Sequence, residues 1–461
     1  TYDSANGTAE DRIKMYVNGE RITSFGTNAN PNQNVDSFVN QTRIHAIGRF
    51  AYNGDLKENG ALNGYLGEVN FIDGLAKAPT DFGETGTYGE WKPIEYEGSY
   101  GTNGFYLPFK QDYTVEGFSA TTYPGNGTTG HTIGGVGFSP DLLWLKERTS
   151  TSQHRLFDTV RGASKRLVSD DTSAEATDTS NMTSFNTDGF TLGNSGSVNA
   201  SGDRYIAWSW DMGGSNASNT NGSITTTVRA NPTYGQSIVK YTGTAGVSNA
   251  TKIGHGLSAA PEMIIIRDYN NVQYWPVWHK DMNADGGFDR KIYLNTTGAV
   301  SGTDQRRVTS VSTTTFGLPE GASSGGYSES NHIGQEHIAY CFHSVTGYSK
   351  FGSYTGNGSA TGPTITLGFR PAFLMVKNSS NGGSWEIYDS TRNPTNPIDL
   401  TLLADGSNAE ITIGSGGRFN FTDTGFTIIH DGGSVNGNGQ TMIYMAFADK
   451  REYAYWLDQS G

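Results

Sequence analysis

The sequence predicts an all-β protein built mainly of tandem β-sandwiches, and three observations carry that prediction. Glycine is abundant, at 62 of 461 residues, while 12% of residues are aromatic and only 17% are charged. Gly and Asn supply the positive φ that tight turns need, and Tyr, Phe and Trp suit half-buried pleated surfaces. A disordered chain would share the polarity but not the aromatic content. No stretch keeps an i, i+3, i+4 apolar pattern over three turns, so helices are expected to be few and short. The third observation is internal repetition.

"GFSPDLLWLK" begins at Gly137, "GLSAAPEMIIIR" at Gly256 and "GFRPAFLMVK" at Gly368. A second signature follows each: "DGFTLG" around Phe190, "TTFGLP" around Phe316 and "TGFTII" around Phe426. Each unit then closes on "YIAWSWD" from Tyr205, "HIAYCFH" from His337 or "MIYMAFAD" from Met442. A lead-in strand precedes every unit, as "VEGFSATTYPGNG", "SIVKYTGTAG" and "KFGSYTGNG". Four signatures in one order, three times, define repeats of about 110 residues, too long for a propeller blade or a solenoid turn. The predicted domains are residues 111–230, 231–347 and 348–461, each a β-sandwich with a core of its own.

The closing strands set the faces. Ile206, Trp208 and Trp210 alternate with Ala207, Ser209 and Asp211. Ile338, Tyr340 and Phe342 do the same against Ala339, Cys341 and His343, and Ile443, Met445 and Phe447 against Tyr444, Ala446 and Ala448. Bulky side chains on one face and mostly smaller ones on the other is strand periodicity. Cys341, the lone cysteine, stands where Ser209 and Ala446 stand and reads as a small packed residue. Pro140, Pro261 and Pro371 mark strand entry, where a missing N–H is tolerated. The apolar run after each is expected to bury itself in one sandwich core. The repeats differ most in their middles, with Gly/Ser/Asn-rich stretches such as "EGASSGGYSESNH" in the second, and variable loops on a constant frame are where specificity usually lives.

Residues 1–110 read differently. "RIKMYVNGERITSF" (Arg12 to Phe25) is a hairpin turning on Asn18-Gly19. "HAIGRFAYNG" and "LNGYLGEVNFIDGL" (Leu62 to Leu75) follow it. This order resembles the later half of a concanavalin A-like, laminin-G-type lectin sandwich. The resemblance implies a partial jelly-roll whose earlier strands come from elsewhere. "GEWKPIEYEGSYGTNGFYLPF" (Gly89 to Phe109) looks like the connector after such domains in structural proteins of tailed phages, marine ones above all. The downstream signatures "GFSPDLLWLKER", "LFDTVRGASKRL", "FNTDGFTLG" and "YIAWSWD" resemble an uncharacterised domain of the same virion proteins. The third repeat lacks "RGASK". The resemblance implies location and class, a virion appendage at the particle surface, and no chemistry.

Charge and motifs narrow the rest. A net charge of −13 without any Lys/Arg cluster argues against nucleic-acid and anionic-membrane partners. No apolar run approaches the roughly 20 residues of a membrane-spanning helix. No signal peptide is visible, and a chain opening on Thr1 is expected to have a preceding part. "GNGTTG" (Gly125 to Gly130) matches a dinucleotide fingerprint but leads into another strand, so it reads as a loop. "GASSG" (Gly321 to Gly325) matches a nucleophile elbow but lies in a low-complexity loop. Glu386 and Asp389 of "WEIYDS" are three apart on a strand and point to opposite faces, unlike a glycosidase pair. No His/Cys spacing fits zinc, whereas the acidic loop "SDDTSAEATDTS" could hold Ca2+.

The best candidate for ligand contact is "YNNVQYWPVWHK", where Tyr274 and Trp275 are expected to stack on sugar rings beside Asn amides. Trp278 aligns with Phe157 and Tyr388 and is expected to pack inward. The function expected is therefore non-enzymatic: a tail fibre, spike or head fibre attaching the particle to a host-surface glycan or protein. Its partners would be other virion proteins and further copies of itself, a trimer by family analogy. Two alternatives stand beside it, a purely structural spacer and a polysaccharide depolymerase.

Overall fold

A computed structural model describes all residues except 27–29, 36–46, 48, 53–54, 62–68, 86–90, 95, 108–116, 284–286, 303–306, 415 and 449–461. The chain forms two compact units, Thr1–Gln111 and Asp112–Gly461. It is nearly all β, and the three α-helices among the described residues, Gly196–Asn199, Ser328–Asn331 and Gly433–Asn436, are single turns.

In the first unit the described strands form two-stranded antiparallel ladders. Tyr16–Val17 pairs with Glu20–Arg21 through the expected turn, with φ of 51° at Asn18 and 82° at Gly19. A Cβ on Gly19 would strike the Trp91 ring, so glycine is required there twice over. Val69–Phe71 pairs with Phe105–Leu107, while the "GYLGE" stretch at 64–68 lies outside the described residues. Phe82, Tyr96 and Tyr100 pack their rings together.

The second unit holds three versions of one sandwich. In each, a main antiparallel sheet runs in the order return, entry, closing and lead-in strand. The entry strands are Leu142–Glu147, Met263–Asp268 and Phe373–Asn378, and the closing strands Arg204–Trp210, Glu336–Phe342 and Thr441–Phe447. The lead-in strands are Phe118–Pro124, Gln236–Thr242 and Ser349–Thr355, and the return strands Arg155–Asp158, Pro276–His279 and Trp385–Asp389. A three-stranded sheet covers the outer face, as His131–Ile133, Gly189–Leu192 and Met182–Asn186 do in the first repeat. The entry glycines Gly137, Gly256 and Gly368 all have positive φ (92°, 74° and 91°), which explains why Gly opens each signature.

Both faces of the entry and closing strands are buried, and in different cores. Leu143, Leu145, Tyr205 and Ala207 face the first repeat's own sandwich with Phe190 and Leu192. Leu142, Trp144, Ile206, Trp208 and Trp210 face a core that all three repeats share. The apolar run after each Pro, expected to bury itself in one sandwich core, is divided in the first repeat between that core and the common one. The second repeat's sandwich core runs into that common core without a break. Strands covered on both sides read as continuous apolar runs, which is why "LLWLK", "MIIIR" and "FLMVK" do not alternate. At the common centre, Trp210, Phe342 and Phe447 hold equivalent positions, with Trp210 5.8 Å and Phe342 5.9 Å from Phe447.

The repeats close into a ring through head-to-tail contacts. His154 Nε2 donates to Leu403 O at 2.8 Å, Trp275 Nε1 to Val168 O at 2.9 Å and Trp385 Nε1 to Tyr293 O at 2.9 Å. These link the first repeat to the third, the second to the first and the third to the second. A second set follows the same cycle. Trp208 Nε1 donates to Asp389 (3.0 Å), Tyr340 OH to Asp158 (2.8 Å) and His279 Nε2 to Tyr444 O (3.2 Å). A third set uses the buried cation that ends each apolar run. Lys146 reaches Ser407 O, Arg267 reaches Thr172 O and Lys377 reaches Thr296 O.

The upper end of each main sheet, where lead-in strands finish and closing strands begin, carries its own repeated clamp. Asn199, Asn331 and Asn436 end the single-turn helices, and each accepts the backbone N–H of Asn126, Thr244 or Asn357 at 2.9 Å. Tyr123, Tyr241 and Tyr354 donate to the carbonyls of Val198, Ser330 and Val435 on those same turns. Buried polar groups satisfied this way hold the loops to the frame.

Candidate functional site

The structure separates the two residues proposed for ligand contact. Trp275 is 0% exposed and its indole is spent on the seam to Val168, so neither face of its ring can meet a sugar. Tyr274, 44% exposed, stays accessible. The physical reason is strand geometry: neighbours at a strand entry point to opposite sides, and the seam claims the second. Trp278 packs inward as expected, stacked on Phe288 at 5.4 Å.

Tyr274 lies on the upper loop between entry and return strands of the second repeat. Its ring leans on Tyr293, with centroids 4.9 Å apart and planes inclined by 32°. Tyr293 is pinned in turn, because its hydroxyl donates to Glu329 (2.8 and 3.0 Å) and accepts from Arg307 (3.1 Å). The Arg307 and Glu329 side chains form a buried ion pair beneath, and the Arg307 guanidinium lies 5.9 Å from the Tyr327 ring. Beside Tyr274, the Gln273 amide is anchored on Ser328 Oγ at 3.0 Å. Tyr293, Arg307, Tyr327 and Glu329 come from three separate stretches, and no local spacing in the sequence unites them.

Other chemical groupings are engaged elsewhere. His332 Nδ1 meets Asp268 Oδ2 at 2.8 Å, the orienting half of a nucleophile–base arrangement. Among the described residues no hydroxyl or thiol is hydrogen-bonded to His332 Nε2, and Ser323 of "GASSG" is exposed on a loop. "GNGTTG" connects the lead-in strand to the outer sheet with no helix after it. Glu386 and Asp389 do part company: Glu386 accepts from Tyr388, whereas Asp389 joins Trp208 and Arg392.

A 440 Å³ cleft is lined by Ser139, Asp141, Asp211, Arg229 and Asn231. Burial pushes the Asp141 carboxyl up to about 7, against the pull of Arg229 Nε at 2.8 Å. Asp141 also accepts the Met212 N–H and the Thr159 hydroxyl, and Asp211 accepts the Gly213 N–H. These groups clasp the first repeat to the strand Thr226–Asn231, which extends the second repeat's sheet. In the acidic loop, Asp171 and Asp178 cap Ser173 and Ser180, and Asp170 accepts the His154 N–H. Among the described residues no group of three or more His, Cys, Asp or Glu side chains is placed to hold a metal ion. Cys341 is fully buried and burial raises its thiol pKa, as suits a packing residue.

Three sandwiches stitched by the same contacts at equivalent positions define the class: an all-β, multi-sheet protein with one internally repeated ring unit. Residues 114–451 match the model of a family described as a domain of unknown function (DUF7483), and the chain belongs to that family. The match runs through all three repeats. No curated protein and no solved structure matches the chain.

Proposed function

We propose that the chain is a structural protein of a phage particle's surface, a fibre, spike or head-fibre component whose ring unit presents loops for host attachment. The sequence resemblance to virion appendage proteins supports the setting, and one structural observation supports the role. The seam and clamp contacts recur in all three repeats, while the exposed loops between them differ. A frame held at so many buried points, with divergent loops on it, is how a rigid scaffold carries recognition. In this role the chain is joined to other virion proteins and self-associates, and its sites act together through avidity.

Gold-labelled antibodies against 112–461 would be imaged on particles of the phage that encodes the chain, and the purified chain would be tested as a competitor of adsorption. Label on intact particles together with blocked adsorption is expected. Intact particles without label overturn the proposal, and label without competition reduces the chain to a spacer.

A further inference from the structure

The three repeats act as controls for one another. The seam donors His154, Trp275 and Trp385 are equivalent, and the residues just before them are Gln153, Tyr274 and Ser384. All three seams close, so ring closure does not require a tyrosine at that position. Across the described residues of 112–461, five large hydrophobic side chains are exposed: Val247, Val272, Tyr274, Ile333 and Ile411. Four of the five sit on upper loops of the second repeat, whereas the corresponding described loops of the first and third expose no large hydrophobic side chain. Exposed apolar side chains confined to the loops of one of three equivalent ends mark a contact surface.

Resting on the attachment reading above, we infer that the second repeat's upper loop is a carbohydrate-binding site, with Tyr274 as the stacking platform for an uncharged hexose or N-acetylhexosamine unit. The Tyr274 ring leans on Tyr293 and the side chain stays 44% exposed. Because Glu329 and Arg307 fix the Tyr293 hydroxyl, the platform is held before ligand arrives, and little ordering is lost on binding. Along the segment Asn270, Val272 and Tyr274 are exposed, and the half-buried Asn271 and Gln273 between them donate their amides to Asp268 and Ser328, so polar groups interrupt the apolar surface rather than leaving the unbroken patch a protein interface needs. The net charge of −13 disfavours a polyanionic glycan.

The full chain would be screened on an array of neutral oligosaccharides ending in glucose, galactose, mannose or N-acetylglucosamine. Binding is expected for the wild type, reduced roughly tenfold or more in Tyr274→Ala and in Tyr274→Gln, which installs the first repeat's residue, and kept in Tyr274→Trp. Melting temperatures should stay level across the set, because the Trp275 seam is untouched. No binding by the wild type overturns the inference, while antibody label on particles judges the attachment reading separately. Host adsorption that survives Tyr274→Ala but is lost in a Val247→Ser/Ile333→Ser double variant also overturns it, and assigns the face to a protein partner.

Discussion

The seams of the ring and the loops at its upper end are built from the same three repeats, yet they have diverged in opposite ways. At the seams the residues change and the contact stays: His154, Trp275 and Trp385 are chemically unlike, but each donates a ring N–H to the equivalent carbonyl of the preceding repeat. At the upper loops the supporting clamp stays, with Asn199, Asn331 and Asn436 in place, and the exposed surface changes. Buried donors are held to their partners because an unpaired one costs about 1–3 kcal/mol. Exposed loop residues carry no such penalty and are free to specialise.

The largest test of that contrast removes a repeat altogether. Deleting 348–461 would bare Trp208, Trp210 and Phe118, which pack on Phe373 and Phe447, leave His154 and Trp208 without their acceptors and take Ser407 O from Lys146. The truncated chain is expected to lose cooperative melting and to aggregate, as seen by circular dichroism and size-exclusion chromatography. A well-folded monomer with an unchanged melting temperature would mean that the repeats are independent and the ring contacts incidental.

Single seam residues come next. Asp158 accepts from Tyr340 and pairs with the buried Arg161, and Asp389 does the same for Trp208 and Arg392. Asp158→Ala or Asp389→Ala removes the closer carboxylate from a buried guanidinium, leaving Glu175 or Glu410 as its ion-pair partner, and is expected to cost about 2–3 kcal/mol. The second repeat has His279 at this position, without a carboxylate–Arg pair, so His279→Gln should cost less, about 1 kcal/mol at neutral pH. Urea midpoints of the three variants would rank them.

The same substitution of Asp by His gives one seam an acid sensitivity. Burial lowers the His279 pKa to about 4, so the folded ring keeps that imidazole neutral. The unfolded chain takes up the proton near pH 6.5, and the stability His279 provides above that value is lost as pH falls towards 4, roughly 3 kcal/mol in all. Asp141 and Asp170, raised by burial to about 7 and about 6, work in the opposite direction over this range. The wild-type curve therefore mixes both effects. The gap between wild type and His279→Gln isolates one, and it should narrow and then reverse between pH 7 and pH 4.5 in thermal melts.

Much of the frame was legible in the sequence because it rests on local pattern. Strand entry at Pro140, Pro261 and Pro371, inward Trp278, the Asn18-Gly19 turn and the packed Cys341 all follow from spacing and residue type. Ring closure was not legible, since it joins residues from 81 to 261 positions apart through dissimilar side chains. One signal for it was present. Lys146, Arg267 and Lys377 end three otherwise apolar runs, and a cation repeated at the end of a buried strand has to find acceptors. Burial lowers both lysines to about 8, a measure of how deeply the seams take them in. The candidate site was half legible: exposed Tyr274 belongs to the loop's sequence, but its partners Tyr293, Arg307 and Glu329 meet only in the fold.

The smallest expected effect is also the sharpest comparison, because it sets adjacent residues against each other. Trp275→Ala removes a fully buried ring and its seam donor, and is expected to cost about 3–5 kcal/mol. Tyr274→Ala removes a half-exposed ring whose main neighbour, Tyr293, stays anchored by Glu329 and Arg307, and should change stability by no more than about 0.5 kcal/mol. Melting the two variants side by side measures whether the frame ends and the display surface begins between residues 274 and 275. A Tyr274→Ala loss as large as that of Trp275→Ala would make Tyr274 part of the frame. Its absence from the equivalent positions of the other repeats would then have to be explained by packing rather than by a ligand.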